Sequence, residues 1–208
     1  MEKVDFSTWF HREKYEFFKP QSWPFWSVSF PVDITNLHRW SRERGLSFYY
    51  ALTFLVTKAM NGIDAFLYKD RGDCIVRHDH LVPSFSDLKP GSEDFYFVTV
   101  EPGEDMADFC RRAREISMAQ TEFLVPGPWE YDQSIYVSCL PWIPFTSLVN
   151  DRDSDVTDSV PRVTWGKYVP DAQGREVLTM TLNLNHRLLD GVHAGRFYEK
   201  LTALLEEL

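Results

Sequence analysis

The stretch Asn183-Leu-Asn-His-Arg-Leu-Leu-Asp-Gly-Val-His193 stands where one regular pattern ends and another begins. Over residues 178–184 apolar side chains occupy every second position, which predicts a strand with one buried face. Over residues 194–208 the apolar side chains recur at helical spacing instead. The sequence therefore predicts a strand, a short loop containing an Asp-Gly turn, and a final helix. His186 lies where this strand ends.

A histidine at the end of a strand is a candidate functional residue, because a rigid scaffold commonly presents binding and catalytic groups on such loops. The pattern His-x-x-x-Asp-Gly by itself also fits a histidine that simply packs beside a turn. The residue types around His186 and in the rest of the chain are needed to decide between the two interpretations.

Composition limits the classes of function. The chain has 208 residues, of which 44% are hydrophobic, so residues 1–208 are expected to form a single domain. The formal net charge is -9 and no cluster of Lys and Arg stands out, which argues against a nucleic-acid partner. No apolar run has transmembrane length, and the first residues lack the apolar region of a signal peptide. Three widely spaced cysteines favour reduced thiols in a cytoplasmic protein, without a disulfide framework or a metal site.

The remaining periodicity predicts a mixture of helices and strands that do not strictly alternate. Thr35 and Ser47 are predicted helix caps, and Gly45 is a predicted helix end. Frequent hairpins favour an α+β fold of two layers, with helices packed on a mixed, mostly antiparallel sheet. The predicted helices cover residues 8–18, 35–44, 48–61 and 103–121 besides the last one, and the predicted strands cover 25–33, 64–69, 74–78, 83–87, 94–101, 133–141, 160–169 and 176–186.

Several segments together resemble the chloramphenicol acetyltransferase family. The stretch around His186 is similar to the family's Gln-x-His-His-x-x-x-Asp-Gly-aromatic-His. Trp9-Phe-His-Arg-Glu-Lys-Tyr-Glu-Phe-Phe18 resembles its Trp-x-Arg-x-Glu-His-Phe-Glu, and Phe48-Tyr49 matches a Phe-Tyr pair. Ser138-Cys-Leu-Pro-Trp142 resembles Ser-Ala-x-Pro-Trp, and Thr164-Trp-Gly-Lys-Tyr168 resembles Thr-Met-Gly-Lys-Tyr. The order and spacing of these motifs agree over nearly the whole chain.

The resemblance implies transfer of an acetyl group from acetyl-CoA to the primary hydroxyl of chloramphenicol. His186 is then the general base that takes the hydroxyl proton. Ser138 would donate to the tetrahedral oxyanion, and Thr164 would hold a water near it. Because CoA is a good leaving group, neither a metal nor a permanently bound cofactor is implied.

The resemblance also assigns supporting roles and an assembly. Asp190, Gly191 and Asn185 would organise the site, with Asn185 standing where the family has the first histidine of its His-His pair. The implied assembly is a homotrimer with the active sites between subunits. The implied acceptor-binding residues are Phe17, Phe18, Trp26, Phe95, Val125 and Leu148, and the implied acetyl-CoA-binding residues are Tyr49, Lys167 and Tyr168.

The chain departs from the family pattern at several positions. Val125 and Leu148 stand where the family has phenylalanine, and Val192 replaces an aromatic residue. The family arginine that pairs with the motif aspartate aligns with His11, and Arg12 follows it, so either residue is a candidate partner of Asp190.

Two alternatives to chloramphenicol acetylation stay open from the sequence. The chain could be a CoA-dependent O-acyltransferase that acts on a different small acceptor. It could also be a degenerate homologue that binds a ligand or acts as a scaffold, an interpretation motivated by the loss of the arginine and of one histidine.

Overall fold

The computed structural model describes all 208 residues and contains five α-helices and ten β-strands. The helices are α1 (Arg12–Phe18), α2 (Thr35–Arg44), α3 (Phe48–Asn61), α4 (Met106–Ala119) and α5 (Gly191–Glu206). The strands are β1 (Glu2–Lys3), β2 (Phe25–Asp33), β3 (Tyr68–Asp70), β4 (Ile75–Arg77), β5 (Val82–Leu88), β6 (Phe95–Thr99), β7 (Ser134–Leu140), β8 (Arg162–Gly166), β9 (Val169–Pro170) and β10 (Glu176–Asn185).

Seven of the strands form one mixed sheet with the order β2-β10-β8-β7-β5-β6, and β9 pairs with β10 beside this path. The neighbours β5, β7 and β8 are parallel, whereas the other pairs are antiparallel. A small antiparallel sheet has the order β1-β4-β3. The predicted α+β fold with helices on a mixed sheet is confirmed.

The two faces of the large sheet differ in chemistry. The apolar positions of β10, such as Leu182 and Leu184, are fully buried in a hydrophobic core of 40 residues. Helix α3 lies at the centre of the helical layer and packs against α2, α4, α5 and β5. The opposite face of the sheet carries Thr181 and Asn183 from β10, because successive side chains of a strand point to opposite faces. This polar face continues across β8 and β7, where the candidate site described below lies.

Helix caps were predicted with mixed success. Ser47 accepts a hydrogen bond from the N–H of Tyr50 and caps α3, as predicted. Gly45 ends α2 in the left-handed region at φ 61°, also as predicted. Thr35 is not a cap: α2 begins at Thr35 itself, and the Asp33 carboxylate accepts from its N–H and its hydroxyl. The predicted cap was therefore wrong because the carboxylate two residues earlier is the stronger acceptor.

Four predicted boundaries are corrected. The first helix starts at Arg12 and not at residue 8. The segment predicted as a strand from residue 64 begins with a 3-10 turn and becomes extended only in β3. Helix α4 starts after Asp105, whose side chain accepts from the N–H of Asp108. The strand predicted over residues 160–169 is divided into β8 and β9. No helix is both long enough and apolar enough to cross a membrane.

Gly166 allows the chain after β7 to lie directly on β8. A Cβ at this position would stand 2.7 Å from the carbonyl oxygen of Ile143 and 3.0 Å from the ring of Phe145. The same carbonyl accepts from the N–H of Lys167 at 3.0 Å. Since a backbone atom cannot yield without moving the chain, the close approach requires a residue without a side chain.

We expect Gly166→Ala to lower the free energy of unfolding by about 1–3 kcal/mol, the usual cost of overpacking a closed site. Gly195→Ala in α5 is the matched control, because no atom lies within 4 Å of the position that its Cβ would take. The control should be neutral or stabilising, since alanine favours a helix interior more than glycine does. Urea unfolding of both variants measures the difference, and equal stabilities would contradict the role assigned to Gly166.

Candidate active site

A row of hydroxyl side chains crosses the polar face of the sheet. Ser138 of β7 lies opposite Thr164 of β8, and Thr164 lies opposite Thr181 of β10. Thr181 in turn shares a hydrogen bond of 2.7 Å with Ser29 of β2. Because residues opposite one another in neighbouring strands point to the same face, strand register alone places these hydroxyls side by side.

A cavity of about 1330 Å³ opens over this face and brings together seven of the residues that the sequence proposed for the site. Its wall contains aromatic side chains next to serine and threonine hydroxyls, a combination suited to a small ligand with an apolar body and a few polar groups. The seven residues are Tyr49, Phe95, Val125, Ser138, Thr164, Lys167 and Tyr168.

Neighbouring polar groups orient the two central hydroxyls. Ser86 donates a hydrogen bond to the Ser138 hydroxyl at 3.3 Å, so the proton of Ser138 remains free to be donated elsewhere. Asn150 donates from its amide to the Thr164 hydroxyl at 3.0 Å. Sequence inspection missed Ser86 and Asn150, because neither belongs to a motif and both reach the site only through strand pairing and loop placement.

The three residues proposed for acetyl-CoA occupy different surroundings in the cavity. Tyr49 donates its hydroxyl to the Ser86 carbonyl at 2.8 Å, and burial raises its pKa well above the ordinary value. The side chain of Lys167 is exposed at the rim. The ring of Tyr168 packs edge-on against His38 with 4.9 Å between the ring centroids. Lys167 is the one cation of the three, and its exposed ammonium is available to a phosphate.

His186 does not line this cavity. Its ring stacks on Phe18 of α1 with 4.1 Å between centroids and 14° between planes, and the Trp26 ring lies 5.5 Å away. Its backbone N–H donates to the carbonyl of Pro24 at 2.7 Å. The Nδ1 atom is buried without a hydrogen-bond partner. Backbone pairing and aromatic stacking thus hold the imidazole, and its ring nitrogens make no hydrogen bond.

The loop that follows His186 is closed by hydrogen bonds to its own strand and to β2. The Asn185 side chain accepts from the N–H of Arg187 at 3.0 Å and donates to the carbonyls of Val156 and Asp158. The indole of Trp26 donates to the carbonyl of Leu189 at 3.0 Å. These contacts fix the backbone on both sides of the imidazole.

Lys14 is the cation that pairs with Asp190, not His11 or Arg12. Its ammonium lies 3.1 Å from the carboxylate and also donates to the carbonyl of Leu188 at 3.0 Å. The guanidinium of Arg12 instead lies over the ring of Phe6. Lys14 follows His11 by three residues, a helical spacing that puts both on one side of α1, so this periodicity was the signal that could have identified it.

Two histidines flank this ion pair and are kept neutral. His193 accepts the N–H of Asp190 on its Nδ1 at 3.0 Å, and burial, with a further contribution from Lys14, lowers its pKa to about 4. The His11 ring lies 5.7 Å from the His193 ring, and burial likewise lowers its pKa. Asp190 is the N-cap of α5, which begins at Gly191. In its capping box the His193 side chain accepts from the backbone N–H of Asp190.

The predicted acceptor-binding residues are divided between two places. Phe95 and Val125 lie in the cavity, whereas Phe18 and Trp26 surround His186. Phe17 is 72% exposed and packs edge-on against Phe18, with 5.0 Å between the ring centroids. Leu148 does not line the cavity.

Ser138 and His186 are also far apart within the chain. Thr181 belongs to the same cross-strand row as Ser138, and His186 follows it by five residues along β10. At about 3.3 Å per residue the separation is roughly 16 Å along the strand, with two further strand spacings across it. A base and an oxyanion donor at this distance cannot act on one acyl group within a single chain.

Solved structures show the class of fold to which this arrangement belongs. A chloramphenicol acetyltransferase superposes with a TM-score of 0.87 at 23% identity, covering 99% of this chain and 100% of that one. A probable dihydrolipoamide acetyltransferase from Listeria monocytogenes superposes with a TM-score of 0.69 at 17% identity, covering 94% and 89%. The chain thus has the fold that these two solved structures share, with helices packed on a mixed sheet.

The family is shown by sequence. The model of the family described as chloramphenicol acetyltransferase matches residues 1–202. A chloramphenicol acetyltransferase from Bacillus pumilus is 28% identical over 183 residues, covering 87% of this chain and 83% of that protein. Chloramphenicol acetyltransferase 3 from Escherichia coli is 26% identical over 206 residues, covering 97% and 95%. The chain belongs to the chloramphenicol acetyltransferase family, which makes it an acetyl-CoA-dependent acetyltransferase.

The Lys14–Asp190 pair yields a prediction about stability. Lys14→Met should leave the half-buried carboxylate of Asp190 and the carbonyl of Leu188 without their donor, lowering stability by about 1 kcal/mol or more. For a chain of this size that corresponds to a fall of about 2–4 °C in Tm. Lys14→Arg should retain most of the stability because the cation can still reach the carboxylate. Calorimetry at pH 7 measures the Tm of both variants, and a Lys14→Met protein with the parental Tm would refute the pairing.

Proposed function

We propose that the chain transfers the acetyl group of acetyl-CoA to a hydroxyl of chloramphenicol, with His186 as the general base. The curated relatives named above support the substrate, and the local geometry supports the chemistry. An imidazole whose buried Nδ1 has no hydrogen-bond partner is available to accept the hydroxyl proton as the oxygen attacks the thioester.

Ser138 is the proposed donor to the oxyanion that forms during this attack. Ser86 already supplies a hydrogen bond to its oxygen, so its own proton can point into the cavity. A positioned donor of this kind contributes most when it meets charge that develops only in the transition state. We assign Thr164, held by Asn150, to the neighbouring water site.

The observation that carries the proposal is the separation of His186 from the cavity that contains Ser138. If both residues serve one reaction, the base of one subunit must meet the cavity of another. The rim of the cavity favours such an assembly, because large apolar side chains on it are exposed to solvent. They include Leu124, Val125, Tyr131 and Trp142. We therefore propose a homotrimer with the active sites between subunits.

Acetyl-CoA requires positive charge at the cavity rim because the protein carries a net charge of -9. We assign Lys167 to its phosphates and Tyr168, which packs against His38 beside it, to the adjoining part of the co-substrate. The aromatic and aliphatic lining that remains suits an acceptor with an aromatic, apolar body.

The base is tested by His186→Ala. Because the ring is half-buried and stacks on Phe18 at the surface of the core, its removal should change Tm only slightly. The value of kcat should fall by at least about 10²-fold with little change in either KM. Release of CoA thiol, with and without chloramphenicol, measures the rate. A folded variant with unimpaired turnover would falsify the assignment of the base. If the parental protein turned over only with other hydroxylated acceptors, chloramphenicol would not be the acceptor, but the reaction type would stand.

The assembly is tested by mixing two inactive subunits. Ser138→Ala alone should lower kcat by about 10²–10³-fold. When His186→Ala and Ser138→Ala chains are refolded together in equal amounts, random association in a closed ring completes about one quarter of the sites. The mixture should therefore recover a substantial part of the parental rate, whereas unmixed controls should not. If no activity returned although native mass spectrometry showed mixed trimers, a site between subunits would be excluded.

A further inference from the structure

Arg187, the residue directly after His186, has its side chain buried and bound to two other parts of the chain. Its guanidinium lies 3.1 Å from the Asp70 carboxylate of β3, and it also donates to the carbonyl of Lys19 at the end of α1. The exposed fractions of the two paired side chains are only 6% and 0%. The guanidinium Nε has no partner, so even this arrangement leaves part of the charge unsatisfied.

The same carboxylate holds α1 at a second point. Tyr15 of α1 donates its hydroxyl to Asp70 at 3.1 Å and is itself buried. The other oxygen of Asp70 accepts from the N–H of Gly72 at 2.8 Å, and the Asp70 N–H donates to the hydroxyl of Ser159. Asp70 is thus fully committed within the fold, and it fixes Arg187 relative to α1 and to the hairpin of β3 and β4.

This connection reaches the imidazole through α1. Phe18, whose ring stacks on His186, directly precedes Lys19, whose carbonyl Arg187 binds. The helix is therefore tied by Tyr15 and by Lys19 to the residue that follows His186 in the chain. A displacement of α1 relative to the loop would separate the stacked rings.

Energetics favour a positioning role over a stabilising one. Taking two charges out of water is costly, and well-packed apolar side chains of similar volume are often as stable or more stable. A buried ion pair fixes a geometry more than it adds stability when its partners are rigid and directional. The planar fork of arginine fixes the directions of its hydrogen bonds to the carboxylate and the carbonyl, whereas an ammonium is a point charge whose donors rotate freely.

From these contacts we infer that Arg187, anchored by Asp70, is a positioning residue that sets the stacking of His186 on Phe18 and thereby the direction of its imidazole. The inference rests on the proposed role of His186 as the base. Arg187 does not need to touch a substrate in this role. The buried ion pair serves to orient the His186 side chain.

The test replaces both charges together by apolar residues, in Arg187→Met/Asp70→Leu. No charge is left unpaired, but the Tyr15 hydroxyl and the Gly72 N–H lose their acceptor, so the double variant should fold with a modestly lowered Tm. The value of kcat should fall by about 10- to 100-fold with little change in either KM, as expected for a small misplacement of a catalytic group. The more exposed pair Arg77–Asp64, at 2.7 Å beside the same hairpin, provides the matched control Arg77→Met/Asp64→Leu, which should retain the parental kcat.

Proton NMR of the imidazole supplies a readout that a purely structural role would not change. The ring current of Phe18 shifts the carbon-bound protons of His186 upfield, and the His186→Ala spectrum identifies them among the 6 histidines. In Arg187→Met/Asp70→Leu these signals should move towards random-coil positions, and in the control pair they should stay. Arg187→Lys keeps the charge but replaces the rigid fork by an ammonium with freely rotating donors. It should give a smaller shift in the same direction and a kcat between those of the parental protein and the double variant.

The outcomes separate this inference from the proposed function. Parental kcat and parental His186 signals in the double variant, or in Arg187→Lys if the double variant does not fold, would overturn the positioning role. If His186→Ala lost activity at the same time, the proposed base would stand and the inference alone would fail. Unimpaired turnover of His186→Ala would remove the proposed function itself.

Discussion

The pairing of β10 between β2 and β8 is the interaction on which the rest of the structure depends. Hydrogen-bonded neighbours on both sides fix the register of this strand along its length. Its alternation then sends leucine and methionine into the core and threonine and asparagine to the opposite face. A shift by one residue would exchange the two faces, so the core and the hydroxyl row are specified by the same pairing.

The same strand delivers the imidazole at its end. His186 leaves the sheet where β10 stops, and its N–H is still bound by Pro24, which precedes β2. Beyond it, Trp26 and Lys14 hold successive carbonyls of the loop, and Asp190 begins α5. The loop is short and its backbone is held by hydrogen bonds from several elements. The His186 ring therefore has little freedom, even though its nitrogens make no hydrogen bond.

Buried charges hold the irregular segments that the sheet does not organise. Arg152, whose side chain is fully buried, pairs with Asp158 at 2.9 Å and also binds the backbone of β10 at Asn183. It thereby fastens the segment before β8 onto the polar face beside the hydroxyl row. Burial lowers the pKa of Arg152 to about 10, and the guanidinium remains charged at neutral pH. Burying such a pair costs desolvation energy, but it fixes the conformation of a loop that has no regular hydrogen bonds to do so.

The family and most of the local elements follow from the sequence alone. The bounds of β2, α2 and α3 agree with those predicted, because period, glycine and serine signals act over a few neighbouring residues. It did not determine that Lys14 is the partner of Asp190, because that ion pair depends on how α1 packs against the loop. It also could not show that Ser138 and Thr164 share a cavity from which His186 is absent. Distances across a sheet follow from strand order and register, which are set by contacts between residues far apart in the chain, and only the tertiary structure decides them.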